Sequence, residues 1–91
     1  MVQVDYDMIV FREGQSYVAY CPELDVSSCG REVDEARGNL KTAVRLFIEE
    51  CNRMGTLDQV LQEAGYAPDG RGGYVSPNLV ATERASIAVE A

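Results

Sequence analysis

This 91-residue chain contains no histidine, so any chemistry falls to its thiols, hydroxyls, carboxylates and single lysine. The commonest general base near neutral pH is therefore missing. Ser27, Ser28 and Cys29 are adjacent potential nucleophiles, but no activating partner can be identified beside them. Cys21, Cys29 and Cys51 form no C-x-x-C pair, and no His completes a zinc set. The glycine-rich stretch Gly70-Arg71-Gly72-Gly73 would cradle a phosphate only if it opened a helix, and the residues after it read as extended chain. Arg37, Lys41 and Arg45, spaced by four, make one stripe on a helix, with Arg45 placed to pair with Glu49. That stripe reads as a solvated face. These residues predict neither catalytic site, metal site nor cofactor.

Charge carries more information. The net charge is −7, and it is unevenly spread. Residues 1–35 hold eight acids against Arg12 and Arg31, whereas residues 36–91 hold seven acids against six bases. An acidic field concentrated in the front third repels a phosphate backbone and attracts a basic protein. A hydrophobic fraction of 46% with 25% charged residues is that of a globular chain, and the length suits one domain over residues 1–91. No basic segment precedes an apolar stretch at the N-terminus, and no apolar run approaches a membrane span. Reduced thiols in a cytoplasmic protein are the expectation.

The elements that must position these residues follow from periodicity. Val2, Val4, Tyr6, Met8 and Val10 alternate with polar residues, predicting a strand to about Phe11. Glu13-Gly14-Gln15 supplies a turn, Ser16 to Cys21 a second strand, and Leu24 to Cys29 a third after Pro22-Glu23. Val33, Ala36, Leu40, Ala43, Val44, Phe47, Ile48 and Cys51 recur at helical spacing, predicting a helix over roughly Val33 to Met54 that is buried through Leu40, Val44 and Phe47. Gly55 stops it. Thr56 and Gln59 have capping-box form before a short helix ending at Gly65. Residues 67–78 read as a flexible loop, and Val80 to Val89 returns to alternation, giving βββααβ.

A three-residue turn at Glu13–Gln15 and a tight turn at Pro22-Glu23 would place Ile9, Phe11, Tyr17, Ala19, Cys21, Leu24 and Val26 on one sheet face. Val2, Val4, Tyr6, Met8, Val10, Val18 and Tyr20 would share the other. Both faces are apolar, and one long helix covers only one of them. Self-association as a dimer or tetramer is therefore expected, with Ile9, Phe11, Tyr17 and Leu24 as interface candidates. The same register sets Cys29 opposite Ser16, roughly 15 Å or more from Cys21, too far for a disulfide. The cysteines then read as small core-lining residues.

The string Tyr17-Val18-Ala19-Tyr20-Cys21-Pro22-Glu23-Leu24, followed by Ser28-Cys29-Gly30, is similar to the signature of the N-terminal domain of HicB-like antitoxins. In that family a G-Y-x-A-x-x-P-E-L strand pair precedes a helix opening with E-E-A and a downstream N-L. Val33-Asp34-Glu35-Ala36 and Asn39-Leu40 match this pattern, and the Glu13-Gly14 turn fits before it. The similarity covers about Met1 to Gly55, and the segment from Gly55 to Tyr66 resembles stand-alone members of the same superfamily. The resemblance implies an α+β fold, a degraded ribonuclease H-like core. Its three-stranded antiparallel meander is joined by a C-terminal strand parallel to the first, and the long helix packs on one face. It also implies a non-catalytic antitoxin that binds a small basic RNA-cleaving toxin, HicA.

A nuclease of that ancestral kind would cluster carboxylates from the first strand, the helix and the last strand around two metal ions. Asp5, Asp7 and Glu83 could be drawn from the strands. The helix turns Val33, Ala36 and Leu40 inward and offers no inward carboxylate, so Asp5 and Asp7 read as the solvent side of a strand. Family members often carry a C-terminal helix-turn-helix or ribbon-helix-helix. Here the residues after Tyr66 read as loop plus one strand, so direct DNA binding is not expected. The acidic excess coincides with the antitoxin-like part, which nominates Glu23, Asp25, Glu32, Asp34 and Glu35 as the partner-binding surface. Asp34 and Glu35 would also favour the helix N-terminus through its dipole.

Overall fold

The first hairpin sets the register of everything after it. In the computed structural model, which describes residues 3–90, strand β1 (Ile9–Glu13) turns into β2 (Ser16–Cys21) through only two residues, Gly14 and Gln15. Gly14 takes φ 62°, the positive value that a two-residue hairpin loop of II′ form requires at its first position. Glu13 pairs with Ser16, and the ladder continues to Ile9 opposite Tyr20. Pairing stops there because the next residues of the partner strand run into Pro22, which has no N–H to donate. The strand expected from Val2 to Phe11 thus shifts: residues 3–8 approach as irregular chain, and Val2 lies outside the described residues. The Asp7 amide, freed from the ladder, donates instead to Glu23 Oε1 at 3.0 Å.

Residues 22–25 connect β2 to β3 (Val26–Gly30), with Asp25 in the left-handed region at φ 55°. That four-residue connection, longer than the expected tight turn, sets Cys29 opposite Val18 instead of Ser16. The sheet order is β1-β2-β3, antiparallel throughout. The shorter first turn reassigns the faces, whereas the second connection, longer by two residues, slides β3 without turning it over. Ile9 and Phe11 join Val18, Tyr20 and Cys29, while Val10 joins Tyr17, Ala19, Cys21 and Val26.

Helix α1 (Val33–Met54) lies on the second of these faces. Ala36, Leu40 and Val44 bury against Ala19 and Cys21, with Val10, Tyr17, Leu24, Val26 and Ile48 packed around them. Val33, expected inward, stands 42% exposed at the helix start, ahead of the point where the helix settles on the sheet. Gly30 allows that close approach: a Cβ there would meet the Ala36 backbone nitrogen at 2.6 Å. Gly55 at φ 75° closes α1, and Thr56 N–H donates to the Cys51 carbonyl at 2.9 Å, a Schellman-type stop.

The expected capping box at Thr56 does not form. Its hydroxyl also turns back to the Cys51 carbonyl, at 3.4 Å, and Gln59 bonds Glu63 instead. Helix α2 (Leu57–Glu63) then packs Leu57 and Leu61 with Cys51 and Tyr66 into a second apolar cluster. Phe47 reaches this cluster only half-buried.

Residues 67–78, expected as a flexible loop, carry a two-residue ladder, β4 (Ala67–Pro68) against β5 (Tyr74–Val75). Asp69 organises the turn between them by accepting the amides of Arg71 and Gly73 at 2.7 and 3.0 Å. No strand comes after β5. Residues 76–90 have no regular structure, so the expected fourth strand parallel to the first is absent from the described residues. Val80, Ile87 and Val89 stand 90%, 88% and 80% exposed. Their alternation is strand-like, but a strand exists only where another backbone accepts its hydrogen bonds, and none lies alongside this segment. The shown architecture is α+β: an antiparallel three-stranded sheet followed by a long helix. Among the described residues no helix is long and apolar enough to cross a membrane.

Candidate functional site

The sheet has one face under α1 and one face open. On the open face, adjacent positions of β1 and β2 bring together Ile9, Phe11, Val18 and Tyr20, with Ser27 and Cys29 alongside on β3. Phe11 is 51% exposed, and the other three apolar residues are half-buried by one another. Glu13 continues the same face at one end. Asp25 meets it at the other, where its carboxylate accepts the Tyr20 hydroxyl at 2.9 Å. That hydrogen bond, and after it burial, holds the Tyr20 phenol above its ordinary pKa. The result is an apolar patch with carboxylates at both ends.

Asp25 is the member of the nominated acidic surface that touches this patch directly; the others lie elsewhere. Glu23 sits on the helix side, where its Oε1 accepts the Asp7 amide and the Cys21 thiol, the latter at 3.5 Å. The Asp7 and Glu23 carboxyls are neighbours. Hydrogen bonding to Glu23 raises Asp7. Glu23 is itself pushed up by burial but ends lowered, because the Asp7 side chain, the Asp7 and Glu23 amides and the Cys21 thiol donate to it. Burial also pushes the Cys21 thiol up to about 11, so it stays a neutral, unreactive thiol at neutral pH. The buried Tyr66 hydroxyl donates to the Asp5 carbonyl; burial first, then the surrounding carboxylates, raise its phenol.

Glu32, Asp34 and Glu35 lie at the start of α1. Glu35 reaches back to accept the Arg31 amide at 2.9 Å, and Asp34 pairs with Arg37 at 3.5 Å. Both carboxylates are thus engaged by local bonds. Glu32, at the N-cap, makes no capping bond and is exposed.

The interface candidates divide in the same way. Ile9 and Phe11 lie on the open face, whereas Tyr17 and Leu24 pack into the core under α1. The shorter first turn is the reason. Val18 and Tyr20, assigned to the other face by the longer turn, take their place. The signal was legible in the glycine: a Gly at the first position of a two-residue loop is itself a hairpin pattern. Cys29, expected to line the core, is exposed, while Cys21 and Cys51 are buried and all three are free. Among the described residues no three His, Cys, Asp or Glu side chains are grouped to hold a metal ion. Asp5 is exposed beside Gln3, Asp7 is taken up by Glu23, and Glu83 is exposed on the C-terminal segment. On α1, Arg45 does pair with Glu49, at 3.7 Å.

The open face matches the anatomy of a protein interface: an apolar centre with a polar rim. Compared with known proteins, the chain matches no family model, and neither a curated protein nor a solved structure matches it significantly.

Proposed function

We propose that the protein is a non-catalytic binding protein, a HicB-like antitoxin module that takes a small basic RNA-cleaving toxin on the open face of its sheet. The observation that carries this reading is the patch of Ile9, Phe11, Val18 and Tyr20 with Glu13 and Asp25 at its ends. Among the described residues neither acid has an ion-pair partner; the ion pairs present are Arg37–Asp34, Arg45–Glu49 and Arg53–Glu50, all along α1. Uncompensated carboxylates around an apolar centre suit a basic partner with an apolar anchor, and they act chiefly on association rate. The sequence resemblance over Met1 to Gly55 supplies the partner's class. The missing histidine supports a role without catalysis.

Glu23 is a poor residue for the test because its removal would also orphan the Asp7 amide. Asp25→Asn and Glu13→Gln are better. Asn tolerates the left-handed backbone at position 25 and keeps an acceptor for Tyr20, and Glu13 is exposed and, among the described residues, in no ion pair. The double variant should bind a purified HicA-type toxin with a reduced on-rate, the deficit shrinking as salt rises, and a nearly unchanged off-rate. Stopped-flow association at low and high salt measures this. An on-rate equal to wild type at low salt rejects the acidic rim as the docking surface.

A second reading is a self-assembling member of the same superfamily without a toxin. It is favoured by the apolar character of the same open face, which a second copy would cover as readily.

A further inference from the structure

The C-terminal segment is the feature least explained by the molecule it belongs to. Pro77 packs against Gly65, with its Cγ 3.3 Å from where a Gly65 Cβ would stand. Leu79 lies beside Pro22 and Glu23, lining a shallow cavity with them and with Pro77. The chain is thus anchored at that end of the sheet, and beyond Leu79 it leaves. Residues 80–90 are exposed without exception. They stretch the molecule to 49 × 30 × 23 Å with a radius of gyration of 15.6 Å, against about 12 Å for a compact chain of this length. Yet they are not composed like a solvated tail. Ala81, Ala85, Ile87 and Val89 share one side with Glu83, opposite Thr82, Arg84 and Ser86, the pattern of a strand with one mostly apolar side.

The sheet offers two edges to such a strand. At β3 the Cys29 carbonyl is already engaged by Asn39 Nδ2 at 2.8 Å, and α1 packs closely along that strand. At β1, among the described residues, the backbone groups of Ile9 to Glu13 bond only to β2, leaving the outer row unpaired. An unpaired row of N–H and C=O groups is a template for strand addition.

We infer that residues 80–90 form an exchange arm that adds as a β-strand to the free β1 edge of a second copy of this chain, reciprocally, in a two-fold dimer. The arm is long enough: eleven extended residues reach roughly 35 Å, about twice the length of β1. Its root sits at the end of the sheet beside Pro22 and Glu23, and a reciprocal exchange between identical copies closes with two-fold symmetry. Paired there, the apolar side of the arm lies next to Ile9 and Phe11 and covers side chains that otherwise stand in water. This inference does not depend on the toxin-binding reading.

The test uses the full chain. Sedimentation across a range of micromolar concentrations should give a dimer. Mixing copies labelled with ¹⁵N and with ¹³C should give intermolecular contacts between residues 80–90 of one and residues 9–13 of the other. Ala85→Pro removes an N–H from the middle of the arm in both copies, and Ile87→Lys puts a charge on its apolar side. Each should weaken the dimer by about thirty-fold or more while leaving the circular dichroism of the helices unchanged. A monomer at all concentrations overturns the inference, and so do contacts between the arm and β1 that are only intramolecular. A dimer of unchanged affinity in both variants overturns it equally, since association then occurs without the arm.

Discussion

Asp7 and Glu23 show how a residue's surroundings override the role its type suggests. In sequence, Asp7 is the polar half of an alternation and Glu23 part of a Pro-Glu turn; in the structure they are one hydrogen-bonded carboxyl pair. Asp7 is raised in the folded state, so its contribution is fully present below the ordinary carboxylate range and is lost as pH rises through its raised value. Glu23 is lowered, so its contribution is present above the ordinary range and is lost as pH falls through its lowered value. The pair is therefore most favourable in mild acid, where Asp7 keeps its proton and Glu23 is ionised. Asp7→Asn supplies a permanent donor in place of that proton. Its melting temperature at neutral pH should exceed wild type, and the decline of stability from mild acid to neutral pH should flatten. Calorimetric scans at the two pH values check this; an unchanged pH dependence would show that the Asp7 proton is not held by Glu23.

At the scale of elements, the helix is set on the sheet through a glycine. Helical spacing alone identifies the stripe of Ala36, Leu40 and Val44, but not how near the helix comes to the strands. That distance depends on Gly30, where a side chain would drive into the Ala36 backbone nitrogen, an atom that cannot rotate aside. Gly30→Ala should destabilise the protein by about 1–3 kcal/mol, the range for forcing one extra carbon into a packed site. Chemical denaturation reads the loss as a lower midpoint with an unchanged slope. A midpoint equal to wild type would mean that the start of α1 swings away from β3 at no cost. The periodicity also overstated Phe47. It joins the second cluster half-buried, and the largest wholly buried side chain on that stripe is Leu40.

For the whole molecule the question is whether its open face stays open. Cys29 lies on that face and is exposed, whereas Cys21 and Cys51 are buried beneath the helices. Its alkylation is therefore a reporter of coverage. In dilute protein Cys29 should react rapidly with a maleimide while the other two thiols wait for unfolding. A bound toxin covering the face should slow Cys29 without changing the others. Rapid modification of Cys21 in the native protein would mean that the packing of α1 over β2 is wrong.

The sequence by itself determined the kinds of elements and their order through α2, the stripe of α1 that faces the sheet, the stop at Gly55 and the asymmetry of charge. Each of these is encoded within a few residues, as a period, a cap or a local count. Tertiary structure decided the rest. One residue fewer in the turn at Gly14 moved Ile9 and Phe11 from the face of Tyr17 to the face of Tyr20, because side chains alternate along a strand and a single step inverts them all. The same step split the interface candidates. Residues 80–90 carry the alternation of a strand, but alternation states only what a segment can pair with. Whether it becomes a strand depends on another backbone lying beside it, and that is a property of the assembled fold.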